Sequence, residues 1–275
     1  MKRELRPGYD HLVLPVPFGV LFRDSFDGHV VADRLRVELH DLLSGRTQRL
    51  APNHYGVYAA PSLRGLRAGD SATRSFALEL RDEADRFLPL RVQAQLPCNG
   101  LLDPDGPGSP PEREPHVPLF SAPTRRLPSG GGVLQADLRL ASDPEAEPQR
   151  YPSWARVELW HEDSLLGLGV ADAQGRLLLP CRLPPPREPP LHGSPPSGPP
   201  GFERNRWDVR LRAFWDPALA GRTRPDLALL RQQPEADLLQ AAGSPTVPLA
   251  AQVLRAGETL VAHSDGSSFL LIGAS

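Results

Sequence analysis

The side chains able to do chemistry are dispersed along this chain. Its eight histidines are His11, His29, His40, His54, His116, His161, His192 and His263, and no His-x-His, His-Glu-x-x-His or Cys-x-x-Cys spacing sets two ligands on one element. His161 stands beside Glu162 and Asp163. Neighbours in a strand point to opposite faces, so this trio reads as the polar end of a hairpin. His263-Ser264-Asp265 carries the letters of a hydrolytic triad in consecutive positions. A triad assembles from separated segments, and these residues run into Gly266, so they read as a turn.

The other nucleophile and anion signatures are incomplete. No Gly-x-Ser-x-Gly elbow occurs, and Gly130-Gly131-Gly132 lacks the Lys-Ser/Thr and the helix of a phosphate loop. Asp103-Pro104-Asp105-Gly106 opens with the spacing of a calcium loop but lacks the later ligands, and reads as a linker turn. Cys98 and Cys181 are too few for a disulfide framework or a zinc site and read as buried free thiols. The residues therefore predict no catalytic, cofactor-binding or metal site, no cofactor, and a protein that is not an enzyme. Trp154, Trp160, Trp207 and Trp215 are the remaining candidates. Tryptophans of a sandwich mostly fill its core. The alternative is a carbohydrate-binding module, which requires at least two of them exposed and coplanar.

The elements that must position these residues are strands. Leu35, Val37 and Leu39 alternate with Arg36, Glu38 and His40, and Leu90, Val92, Ala94 and Leu96 with Arg91, Gln93 and Gln95. Leu134, Ala136, Leu138 and Leu140, then Val209, Leu211 and Ala213, repeat the pattern in the second half. Period two marks half-buried strands. Asp27-Gly28, Ser44-Gly45, Gly69-Asp70, Gln174-Gly175 and Asp265-Gly266 supply turns between them. The 33 prolines favour short elements and many loops. Helix is expected only within 226–240, split by Pro234 into two short turns. Asp82-Glu-Ala-Asp85-Arg86-Phe87-Leu88 parallels Asp172-Ala-Gln-Gly175-Arg176-Leu177-Leu178, each an acidic turn, then arginine, then an apolar strand.

The fold class predicted is all-β: two antiparallel, Ig-like β-sandwich domains with Pro-rich loops and little helix. The first spans 1–102, a Pro/Gly-rich linker 103–115, and the second 116–275 with a Pro-rich insertion at 184–201. That tract reads as a solvated loop, with a polyproline ligand as its other use. A net charge of −2 with dispersed basic residues gives no field to gather a polyanion, so nucleic acid is not expected as a partner. The apolar run Leu12–Phe22 is broken by Pro15 and Pro17, and no segment approaches the ~18 apolar residues of a membrane span, so synthesis in the cytoplasm is expected.

Trp154-Ala-Arg-Val-Glu-Leu-Trp160, followed by Leu166-Gly-Leu-Gly-Val-Ala-Asp172-Ala-Gln-Gly175-Arg176-Leu-Leu-Leu179, resembles the carboxypeptidase regulatory-like domain, a transthyretin-like β-sandwich. The long proline tract after the hairpin departs from that family's compact topology. Arg86-Phe87-Leu88-Pro89, Val117-Pro-Leu-Phe-Ser121-Ala-Pro-Thr-Arg125, Pro225-Asp226-Leu227 and Gln233-Pro234 form a longer frame that resembles accessory proteins of phage-tail-like contractile injection systems. That resemblance implies a structural or assembly component with protein partners among the particle's chains. It also implies incorporation into a released or injected particle, and it carries over no catalytic residue.

Overall fold

Along Leu35–Asp41, Leu35, Val37 and Leu39 are buried, Arg36 is exposed, and Glu38 and His40 are half-buried. The period-two pattern thus becomes a strand with one face on a core. The computed structural model describes residues 16–60, 62–98, 100–104, 114–127, 131–141, 151–184, 205–242 and 247–273. Its first strands are β1 (Gly19–Val20), β2 (Phe22–Asp24), β3 (Leu35–Asp41), β4 (Thr47–Pro52), β5 (Tyr58–Ala59), β6 (Arg74–Asp82) and β7 (Leu90–Leu96). After them come β8 (Val117–Leu119), β9 (Gly132–Leu140), β10 (Arg156–His161), β11 (Ser164–Val170), β12 (Arg176–Cys181) and β13 (Arg206–Phe214). A short helix α1 (Leu227–Gln232) precedes β14 (Glu235–Ala236), β15 (Leu238–Leu239), β16 (Gln252–Arg255), β17 (Thr259–Val261) and β18 (Leu270–Ile272).

The chain is all-β and sandwich-like. One antiparallel sheet runs β1-β5-β4-β3-β6-β7. In the second half, β11-β10-β13 continues into β14 and β16, which pair with successive stretches of β13. Facing it, β9 pairs with β12 on one side and with β17 and β18 on the other. Two apolar cores result, one around Phe18, Tyr58, Leu78 and Leu96, the other around Leu134, Leu159, Leu179 and Leu270. On β11, Gly167 and Gly169 let the edge of one sheet close on β12. A Cβ on Gly167 would lie 2.7 Å from Leu179 Cδ2 and 2.8 Å from the Pro180 carbonyl oxygen.

Three features depart from the sequence expectation. The sheets are not purely antiparallel: β17 and β18 run parallel to β9, and β2 runs parallel to β8. Alternation reports which face is buried and carries no information on the partner's direction. Secondly, the residues after Pro234 form β14 and β15 instead of a second helical turn. The Trp215 N–H donates to the Pro234 carbonyl at 3.0 Å, and Ala236 pairs with Ala213, so a sheet edge was open to receive them. Helix α1 does form, capped by the Asp226 side chain accepting from the Ala228 N–H. Thirdly, Val117, Leu119, Phe120 and Ala122 pack in the first core, as do Trp154 and Val170 from further along the chain. The indole N–H of Trp154 donates to the Arg222 carbonyl at 2.9 Å, and Gln233 Nε2 donates to the Trp154 carbonyl at 3.0 Å. Residues 185–201 of the Pro-rich tract, and 105–113 of the 103–115 connection, lie outside the described residues.

Candidate functional site

Three of the four tryptophans are core residues: Trp154, Trp207 and Trp215 are 2, 7 and 6 % exposed. Trp160 is half-buried at the end of β10. With one tryptophan partly exposed, the coplanar pair that a carbohydrate platform requires is not formed. The same strand explains the split. Val157 and Leu159 point into the core, so Arg156, Glu158 and Trp160 share the outer face.

That outer face carries a ladder of charged and aromatic pairs. Across to β13, Trp160 stands opposite Arg210, Glu158 opposite Arg212, and Arg156 opposite Phe214. Across to β11, an irregularity between Leu159 and Trp160 shifts the register, and Trp160 meets the exposed Leu165. The carboxylate of Glu158, only 9 % exposed, accepts from Arg156 Nη1 at 3.1 Å and from the Trp160 indole N–H at 3.0 Å. Arg156 also lies 4.0 Å over the Phe214 ring. Arg212 forks onto both oxygens of Glu235 at 2.8 and 2.7 Å, and Arg210 donates to the Glu162 carbonyl at 3.1 Å.

Electrostatics follow from these contacts. Burial pulls the Arg156 guanidinium below its usual value, against the opposing charge of Glu158. Hydrogen bonding between Arg212 and Glu235 raises the guanidinium and holds the carboxyl below the usual carboxylate range. Both carboxylates are occupied as acceptors, Glu158 of the Arg156 and Trp160 N–H groups and Glu235 of Arg212. The ladder borders a concavity of about 460 Å³ lined by Trp160, Glu162, Asp163, Arg210, Leu211, Arg212 and Leu249. A half-buried tryptophan and two positioned guanidiniums are the residue types enriched at protein-binding hot spots, while the two leucines and the acidic Glu162 and Asp163 of the same lining are not.

Ser264, His161 and the glycines before β9 each make a structural contact, and His11 and His192 lie outside the described residues. Ser264 is fully buried; its hydroxyl donates to the Leu239 carbonyl at 2.6 Å and accepts from the Leu271 N–H at 3.0 Å. It anchors the excursion between β17 and β18. His161 Nδ1 contacts the Asp208 carbonyl at 2.8 Å. Gly131 and Gly132 lead into β9, where a Cβ on Gly132 would meet Cys181 Sγ at 2.6 Å. Gly130, Asp105 and Gly106 lie outside the described residues. Among the described residues, no group of three or more His, Cys, Asp or Glu has a metal-binding arrangement, and no helix is long and apolar enough to cross a membrane. Sequence reasoning passed over Trp160 and Arg212 as a pair. The signal was the parity of Trp160 with Arg156 and Glu158, which sets it opposite the buried positions.

No known family matches the chain, and no curated protein matches it. Among solved structures, the Bacillus anthracis TIE protein aligns with 90 % of this chain at 7 % identity and a TM-score of 0.26. This chain spans about a third (33 %) of that protein's chain, and a likeness so distant carries no statement about fold or activity.

Proposed function

We propose that this protein is a non-enzymatic structural or assembly component that works through protein–protein contacts, with the Trp160 concavity as its docking surface. The observation that carries the reading is the half-buried Trp160 set opposite Arg210 beside a neighbouring Arg212, on the outer face of a sheet whose other face is a packed core. Side chains held this way lose little freedom on docking, so more of the contact energy is retained as affinity.

The finer reading is a component of a phage-tail-like contractile injection system. It rests on the sequence frame, two parts of which pair in the structure. The Leu88 N–H donates to the Phe120 carbonyl at 2.9 Å, and the Ala122 N–H donates to the Arg86 carbonyl at 2.9 Å. Arg125 lies 4.7 Å over the Phe87 ring and donates to Asp24 Oδ1 at 3.0 Å.

Affinity purification of the tagged chain from its native cell, with mass spectrometry and electron microscopy of the eluate, tests both levels. Sheath, tube or baseplate chains that co-purify with the wild type and are lost with Trp160→Ala are the expected result. A solitary monomer, or the same partners retained by Trp160→Ala and Arg212→Ala, overturns the docking assignment.

A further inference from the structure

A second concavity, of about 260 Å³, opens beside the first sheet, where the β3–β4 turn and residues 62–64 meet the start of β6. Its lining includes three arginines, Arg46, Arg64 and Arg74, and one acidic residue, Asp41. Leu63 and Phe76, both buried, form an apolar floor.

The local sequence fixes this arrangement. The Asp41 carboxylate accepts from the N–H groups of Leu43 and Ser44 at 3.0 and 3.2 Å, which closes the turn. Burial pushes this carboxyl up, but the bonds from Ser44 and Leu43 and the charge of Arg74 outweigh it and hold the group below its usual value. Arg74 is pinned. Its Nη1 lies 3.4 Å from Asp41, its Nη2 donates to the Arg64 carbonyl at 2.6 Å, and its guanidinium stands 5.6 Å from the Phe76 ring centroid. Its Nε is buried without a hydrogen-bond partner among the described residues. Arg46 and Arg64 make no ion pair among the described residues and are exposed at the rim. Beside them the turn presents Leu42 and Leu43, 49 and 79 % exposed.

We infer that this cleft is a separate docking site that receives a carboxylate side chain of an acidic peptide segment, with a neighbouring apolar residue resting on Leu42 and Leu43. The charge is complementary, because one neutralised and two unspent guanidiniums leave the wall cationic, and the guanidinium fork matches a carboxylate. The volume falls below the roughly 300–1,000 Å³ of a pocket for a drug-sized ligand, so it suits one side chain. The apolar pair at the turn tip lacks a partner among these contacts, and a segment of alternating acidic and apolar residues satisfies both features at once. This surface is distinct from the Trp160 concavity, so the two assignments stand or fall separately.

The test is fluorescence anisotropy of a fluorescein-labelled repeating Glu-Leu peptide titrated with the full chain at low salt. Wild type binds, and the affinity falls steeply as salt rises. Arg46→Glu with Arg64→Glu weakens binding at least ~10-fold, the scale of losing one charge-assisted hydrogen bond, and Leu43→Asp weakens it less. Trp160→Ala leaves it unchanged. Both arginines are exposed, so circular dichroism of the double variant is expected to match wild type. Peptide affinity unaltered by the double charge reversal overturns the inference. So does an inert peptide, including the case in which the chain sediments with phosphatidylserine vesicles, which would make this end a membrane-surface contact.

Discussion

Truncating Asp82 and Asp172 in turn probes a device that the chain uses twice. In each turn the carboxylate accepts from the backbone N–H of the arginine four residues on: 2.6 Å for Asp82 to Arg86, 2.9 Å for Asp172 to Arg176. It also accepts from that arginine's Nε, at 3.0 and 2.8 Å. The residue before the arginine sits at positive φ in both, Asp85 at 51° and Gly175 at 76°. The exposure of the arginine separates them: Asp82 and Asp172 have side chains 0 and 9 % exposed, but Arg86 is 30 % exposed and Arg176 53 %. Breaking a buried pair from one side costs about 3–5 kcal/mol, and an exposed pair contributes about 0–1 kcal/mol. Arg86 retains Asp33 as a second partner, with Nη1 to Oδ2 at 3.0 Å, which puts Asp82→Ala near the lower end, about 3 kcal/mol. Asp172→Ala loses chiefly its two backbone bonds, about 2 kcal/mol in total. Urea unfolding of both single variants, with double-mutant cycles to Arg86→Ala and Arg176→Ala, measures this ordering. A cost below about 1 kcal/mol for Asp82→Ala, or a larger coupling in the Asp172–Arg176 pair, refutes the assignment of strength to burial.

Other outcomes follow from single contacts. Gly167→Ala is expected to cost about 1–3 kcal/mol in the same unfolding assay, because the Pro180 carbonyl and Cys181 Cβ, 2.8 and 3.0 Å from the added methyl, belong to chain that cannot swing aside. Cys181 is fully buried, and burial pushes its thiol up to about 12. Iodoacetamide at pH 8 should therefore alkylate the half-buried Cys98 first and reach Cys181 only on denaturation, as read by peptide mass spectrometry. The folded chain keeps the Cys181 proton after the unfolded chain has lost it. Its contribution to stability is therefore full below the ordinary thiol value and declines from there up to about pH 12. A melting temperature that does not fall over that window counts against the burial of Cys181.

Much of this architecture is legible in the residues themselves. Strands β3, β7, β9 and β13 follow the alternation residue by residue, and the paired Asp-x-x-Asp/Gly-Arg segments fold as matching turns. The two-residue strands β14 and β15 were not legible, since two residues cannot display a period. Nor was the parallel pairing of β17 and β18, which depends on where the chain re-enters the sheet. The return of 117–122 to the first core has no signature beyond four apolar residues, Val117, Leu119, Phe120 and Ala122, in a Pro-rich stretch. At the candidate sites, the parity of Trp160 with Arg156 and Glu158 carried its face but went unread, while Arg46, Arg64 and Arg74 meet only because two loops end together.

The placement of β9 has a consequence for how the protein is made. One flank is occupied early, by β12 a hairpin later, but the other waits for Thr259–Val261 and Leu270–Ile272. Until those residues leave the ribosome, a strand holding Leu134, Leu138 and Leu140 carries an open hydrogen-bonding edge, the kind of surface that recruits chaperones or strays into another chain. Closing so long a loop before its contacts are rewarded slows folding. Half-synthesised or clipped chains are consequently the species most prone to aggregate, and the final strands act as the latch that ends that exposure.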